Sequence, residues 1–348
     1  MNKLTAFIAA FALLAANFVG VAAQNAGAKN AASANDLVAL LPASDMVAVA
    51  DMRRLLSDAL PQILASQPAT LAGINQHIDR FKAKTGIDAR QFERVAVGVK
   101  YNRVSDREID FAPVAVTRGN FNAAGLLGAA KIAVSGKYRE EKLGNRNLLV
   151  ISLKDVAAQI PQSKDAVKAD KMSRIITKLM SGEVAFFAVD QNTLAFGDSK
   201  QVRQMAETGA RNTANAELNS LAARNPNAVL SFAGNVPQNM MSLVGFDNDE
   251  IGNILSSLRQ GFGSMDVTGG NANITFAART ETAEQAKNLK DTLLGLQSLS
   301  GLLRARRGDK NEVLADLADA LKISQTANEI ELRAAIPQTS LNKLLAGK

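Results

Sequence analysis

Several stretches of this chain alternate strictly between apolar and polar residues, and that alternation limits the fold more than any other feature. In Glu329–Ile336, the side chains of Ile330, Leu332, Ala334 and Ile336 point one way, and those of Glu329, Glu331 and Arg333 the other. Slightly upstream, Ala272, Ile274, Phe276 and Ala278 oppose Asn273, Thr275 and Arg279. Side chains on a strand alternate between the two faces of a sheet, so such segments have one face in a core and one toward water. One-sided strands belong to antiparallel sheets. The strands of a Rossmann fold or a parallel barrel are buried on both faces and read as continuous apolar runs. The pattern predicts an α+β fold in which a mainly antiparallel sheet has helices packed on one face.

The elements come twice in the same order. After the turn Leu41-Pro42-Ala43-Ser44-Asp45, a strand is expected over 46–50 and helical pattern over 52–65 and 71–84. A hairpin (95–101 with 111–118), a helix (122–134) and a strand pair around Gly144-Asn145 follow. A helical insertion near 154–181, a second hairpin (184–189 with 193–196) and a helix over 199–208 complete the series. A polar linker, 213–227, leads to the second series. It has a strand over 229–234, helix over 238–259, and a hairpin of 264–268 with 273–279 across Gly269-Gly270, a good two-residue turn. Helices over 283–300 and 310–321, a strand over 329–336 and a helix over 339–346 close it. The two openings align as Met46-Val47-Ala48-Val49-Ala50-Asp51 against Val229-Leu230-Ser231-Phe232-Ala233-Gly234. Two diverged repeats are therefore expected, 36–212 and 228–348.

The first 23 residues read as a secretory signal peptide. Lys3 supplies the positive end, Leu4 to Ala16 the apolar core, and Val21-Ala22-Ala23 the small residues of a cleavage site before Gln24. The alternative is an uncleaved anchor, for which the 20 residues Leu4 to Ala23 are of borderline length. Residues 24–35 are small and polar and read as a flexible leader. The expected location is secreted or periplasmic.

The opening LPAS-D-x-V-x-V-x-D-x-RRLL, the segment Lys84-Thr85-Gly86-Ile87-Asp88 before a hairpin, and Gly197-Asp198-Ser199 leading into a helix carry a resemblance. They are similar to uncharacterised exported bacterial proteins with a leucine-proline-alanine start and a duplicated strand–helix–hairpin unit. The resemblance implies fold and export. It brings no activity, cofactor or catalytic residue with it.

Composition removes many chemistries. Among 348 residues there is no cysteine, no tryptophan, one histidine and two tyrosines. Disulfides, thiolate metal sites and cysteine nucleophiles are excluded, and multi-histidine metal sites largely so. No cofactor is expected. The net charge of +7 is uneven, with 25 basic and 19 acidic side chains in 36–212 against 13 and 14 in 213–348. For an exported chain this favours an anionic envelope surface or polymer over nucleic acid, with membrane contact only through the signal segment.

Individual motifs read as structure. Gly197-Asp198-Ser199 resembles the nucleophile block of an esterase, but such an enzyme needs a downstream histidine and none follows His77. Asp198 is better placed as a helix N-cap. Ser340-x-x-Lys343 and Lys84-Thr85-Gly86 resemble β-lactamase motifs in reversed order, and Gly86 suits a helix C-cap. His77 flanks the stripe Leu71, Ile74, Ile78 and Phe81. Asp247-Asn248-Asp249-Glu250 begins like a calcium loop but has Ile251 and Leu258 where oxygen ligands are required. The densest basic cluster, Arg304, Arg306, Arg307 and Lys310, is the expected contact for an anionic partner. The functional expectation is a non-catalytic binding or scaffold module. The alternative is a carrier of a hydrophobic ligand held between sheet and helices, and a carboxylate-based hydrolase comes third.

Overall fold

The computed structural model describes residues 36–105, 108–154, 182–208, 213–237, 256–298 and 318–341. The signal segment, the leader, residues 155–181 of the expected insertion and the cluster Arg304, Arg306, Arg307 and Lys310 lie outside the described residues.

The first repeat contains β1 (Met46–Asp51), β2 (Phe92–Ser105), β3 (Glu108–Gly119), β4 (Arg139–Leu143), β5 (Arg146–Ser152), β6 (Glu183–Asp190) and β7 (Thr193–Asp198). The second contains β8 (Leu230–Asn235), β9 (Leu258–Thr268), β10 (Asn271–Thr280), β11 (Lys322–Thr326) and β12 (Glu329–Ile336). Helical segments are α1 (residues 52–63), α2 (Pro68–Thr85), α3 (Ala123–Ala133), α4 (Ser199–Thr208), α5 (Ala216–Ala222) and α6 (Ala283–Ser298).

The strands form one antiparallel sheet in the order β11-β12-β10-β9-β8-β1-β2-β3-β7-β6-β5-β4. The order is a palindrome about its middle. Moving outward from β1 gives β2, β3, β7 and β6; moving outward from β8 gives β9, β10, β12 and β11. The repeats thus meet edge to edge through their opening strands. Asp51 N–H donates to the Val229 carbonyl at 2.9 Å, and the equivalent Asn235 N–H donates to the Asp45 carbonyl at 2.8 Å. Likewise Asp45 N–H bonds the Val99 carbonyl, and Val229 N–H bonds the Met265 carbonyl. These registers equate Met46 with Leu230 and Asp51 with Asn235. The sequence alignment of the two openings was therefore out by one residue. On a strand that slip exchanges the two faces.

The expected α+β class is found, but the expectation of helices on one face is not met: helices cover both faces, because strands such as β5 and β7 are apolar on both sides. Call the front the face that bears Val47, Val49, Ala96, Val116 and Phe187. These pack with Leu37, Val38 and Leu41, with Val202, Met205 and Ala206 of α4, and with Leu218, Leu221 and Ala222 of α5. The same core takes in Ala233, Phe262 and Ala277, which are the second-repeat equivalents of Val49, Ala96 and Val116. On the back, Val95, Ala115, Phe186, Leu194 and Phe196 pack beneath Ala123, Ala130 and Val134 of α3 and its C-terminal end. A third cluster, also on the back, joins Ile63 and Leu64 to Val267, Ala272 and Ile336, with Leu71 and Ile74 of α2 beside it.

Local signals account for many boundaries. Asn122 caps α3 by accepting from Gly125 N–H, and Gly86 ends α2 at φ 77°. Asp198 accepts from the amides of Lys200 and Gln201, the expected N-cap of α4. Two further expectations differ from the structure. Leu258 and Arg259 begin β9 rather than ending a helix, and β11 was not anticipated. The linker carries α5, which packs on β8, β1 and β9, and its Asn215 is buried and bonds Ser44 N–H and the Pro42 carbonyl.

Candidate binding surfaces

Register brings one residue from each of four strands into a row on the front of each repeat. In the second repeat the row is Asn235, Gln260, Arg279 and Glu329. It is closed by hydrogen bonds. Gln260 donates to Asn235 at 3.2 Å, and Arg279 donates to Gln260 at 3.1 Å and to Glu329 at 3.2 Å. Arg224, just beyond α5, reaches the second oxygen of Glu329, and Glu217 of α5 accepts from Arg279. Both guanidiniums lie over the buried Phe262 ring, with centroid distances of 4.4 Å for Arg224 and 5.7 Å for Arg279. Nearby, Asp266 accepts from Asn225 and Asn273. This face is polar, with most of its groups bonded to one another.

In the first repeat the row is Asp51, Arg94, Arg118 and Thr193. Asp51 caps α1 by accepting from Arg54 N–H, and its other oxygen lies 3.7 Å from Arg94 Nε. Arg118 Nε donates to the Thr193 hydroxyl at 3.0 Å. Arg54 is 5% exposed; its Nη2 donates to the Asn227 carbonyl, and its Nε has no hydrogen-bond partner.

The back of the second repeat is apolar. The Phe232 and Phe276 rings lie 6.1 Å apart over Gly261 and Gly263 of β9. A Cβ on Gly263 would come within 2.8 Å of the Phe232 ring. Register equates Phe232 and Phe276 with Ala48 and Ala115, and the two glycines with Val95 and Val97. The first repeat thus has small residues flanking valines where the second has aromatics flanking glycines. Ile274 and Phe276 keep 36% and 37% of their surface exposed, and Leu294 and Leu296 of the neighbouring α6 keep 40% and 57%. Only Ala286 of α6 is buried.

The carboxyl groups displaced from their ordinary values are all displaced downward among the described residues. Hydrogen bonds from Arg203 and Arg139 hold Glu141 at about 2. Arg139 likewise lowers Glu183, and Lys82 lowers Asp88. Burial works against ionisation of Glu329, yet Arg224 and Arg279 together hold it low. A general acid needs a carboxyl pushed up, by burial or by a like charge. These are structural carboxylates.

Other residues singled out in the sequence are dispersed. His77 is exposed on α2, Gly86 is a helix cap, and Ser340 lies in a final helical turn. Asp247 to Glu250, Lys343 and the basic cluster at 304–310 lie outside the described residues. Among the described residues no three histidine, aspartate or glutamate side chains are placed to hold a metal ion. No helix among them is long and apolar enough to cross a membrane. The arginine rows escaped the sequence reading because their members come from four strands. The recurrence of Arg118 and Arg279 as lone basic residues near the ends of the hairpin strands was the available signal.

No family model matches the chain, and no curated protein matches it. Among solved structures, crystal form IV of TP0453 is similar with a TM-score of 0.44 at 7% identity, over 91% of this chain and 99% of that one. Crystal form III of TP0453 gives 0.43 at 8% identity, over 90% and 98%. This is a distant likeness in overall shape and carries no function across.

Proposed function

We propose that the chain is an exported, non-catalytic binding module of the cell envelope, whose second repeat presents the front of its sheet to a macromolecular partner. The observation that carries the reading is the bonded polar face built from Gln260, Asp266, Asn273, Arg279 and Glu329, with half-buried Thr275 and exposed Arg333 beside them. Side chains already held by one another lose little freedom on docking, so such a face is preorganised for contact. The downward-held carboxylates favour structure over acid catalysis. Export rests on the N-terminal segment, and the basic excess of the first repeat favours an anionic envelope surface or polymer as its setting.

A second reading, a carrier of a hydrophobic ligand, draws on the apolar back face around Phe232, Ile274 and Phe276. One experiment separates them. A photo-crosslinking side chain is placed at Thr275 on the front or at Leu294 near the back, and adducts are collected in the native envelope. The binding-module reading expects a macromolecular adduct from Thr275. An unreactive Thr275 position together with a small lipid-like adduct at Leu294 would replace it with the carrier.

A further inference from the structure

We propose that the first repeat holds a small oxyanion, a phosphate or carboxylate group, against Arg94 and Arg118 at the end of the front face. The inference comes from comparing the two rows. In the second repeat every charge in the row is answered: Arg279 and Arg224 share Glu329, and Glu217 stands beside them. In the first repeat Arg118 occupies the place of Arg279, but the place of Glu329 is taken by Thr193, a neutral residue that is fully buried. Arg94 replaces Gln260 and adds a second guanidinium to the row. Paired across β2 and β3, Arg94 and Arg118 rise from the same face as neighbours.

Among the described residues the two guanidiniums of this row therefore face one carboxylate, Asp51. That carboxylate is already engaged by the Arg54 amide and lies 3.7 Å from Arg94. Arg118 has a neutral hydroxyl, that of Thr193, as its side-chain partner. The side chains of Arg94 and Asp51 are only 13% and 10% exposed, so water screens the excess weakly. Guanidinium is never deprotonated at ordinary pH, so the positive excess cannot be relieved by losing a proton. Burying a charge without a partner is costly, and a planar guanidinium fork is suited to bonding phosphate or carboxylate oxygens in pairs. An oxyanion supplies the charge that Glu329 supplies in the other repeat. This proposal is independent of the polar face proposed above, which lies in the other repeat.

The test uses the full exported chain at constant ionic strength, following thermal unfolding as inorganic phosphate, acetate or a soluble short-chain phosphatidic acid is added. A saturable upward shift is expected with phosphate or acetate. A shift confined to the phosphatidic acid would assign the oxyanion to a lipid headgroup. Arg118→Gln should weaken the apparent affinity by about tenfold or more, as expected for losing a bond between charged groups. Thr193→Glu should abolish the response by supplying an internal carboxylate, as Glu329 does. Arg279→Gln, in the balanced row, should leave the response unchanged. No saturable shift with any of the three anions would overturn the proposal. So would equal losses in Arg118→Gln and Arg279→Gln.

Discussion

The two repeats follow one path through the sheet and solve its burial differently. The first buries both faces: Phe187 on the front is inaccessible, and Phe186 and Phe196 on the back lie 6.2 Å apart near α3. Beyond Phe262 and Ala277, the second keeps a polar front and leaves part of its back exposed at Ile274 and Phe276. It also stops at β11, whereas the equivalent strand β6 is followed by the extra hairpin β5–β4. The two repeats share a strand register and differ in the side chains they set on it. Both repeats carry hydrogen-bonded charge, around Glu141 in the first and Glu329 in the second, but close apolar packing on both faces belongs to the first. Stability should therefore be concentrated in the first repeat, and surface chemistry in the second.

The sharpest way to break this contrast is to remove one phenylalanine from each repeat. Phe187→Ala should cost about 3–5 kcal/mol, as for a fully buried aromatic, while Phe276→Ala should cost about 1 kcal/mol or less. Urea unfolding of the two variants measures both, and equal losses would contradict the asymmetry. The next effect lies at the seam. Asp51→Ala removes a helix cap and the carboxylate facing Arg94, for an expected loss of about 3 kcal/mol. At the equivalent position, Asn235 is exposed, and Asn235→Ala should cost about 0.5 kcal/mol or less.

Acid distinguishes the two ionic networks more gently. Glu141 and Glu183 in the first repeat and Glu329 in the second have folded-state values below the unfolded ones. A carboxyl lowered by folding contributes stability above its unfolded value, near pH 4.3. That contribution fades as pH falls toward the folded value, about 2 for Glu141. Stability should thus decline between about pH 5 and pH 2, and Glu141→Gln should flatten the decline. A Glu141→Gln protein with an unchanged acid profile would mean that Glu141 adds nothing. The smallest effect is expected at His77, exposed on α2: His77→Gln should change stability by about 0.5 kcal/mol or less. Any larger change in chemical unfolding would show a role for its imidazole.

Much of this architecture is legible in the sequence because it is written locally. Alternation at 329–336 and the turn at Gly269-Gly270, where φ is 61° and 83°, need only their neighbours to be read. Asp198 and Gly86 mark helix ends for the same reason. What escaped is set by distant partners. β11 is a five-residue edge strand, Lys-Ile-Ser-Gln-Thr, with a single strongly apolar residue, and its place is set by pairing with β12. The one-residue slip between the openings became visible only through bonds made by β2 and β9. Helices on both faces, and the charge rows, likewise arise only when strands from separate hairpins lie side by side. For the binding surfaces, the sequence showed which residues were polar, and the sheet determined which of them meet.

The seam between β1 and β8 also sets a clock. Hairpins such as β9–β10 join neighbours in the chain, but β1 must pair with residues about 180 positions later. Contacts of such long range are entropically slow to close, so joining the repeats should be a late event in folding. At ribosomal speeds of about 5–20 residues per second, roughly ten to forty seconds separate synthesis of the two strands. Throughout that interval one edge of β1 has no native partner, although its valines at 47 and 49 belong to the finished core. A half-made chain therefore presents a sticky strand edge before its natural mate exists. The arrangement that unites two repeats into one sheet also leaves that edge open until β8 has been made.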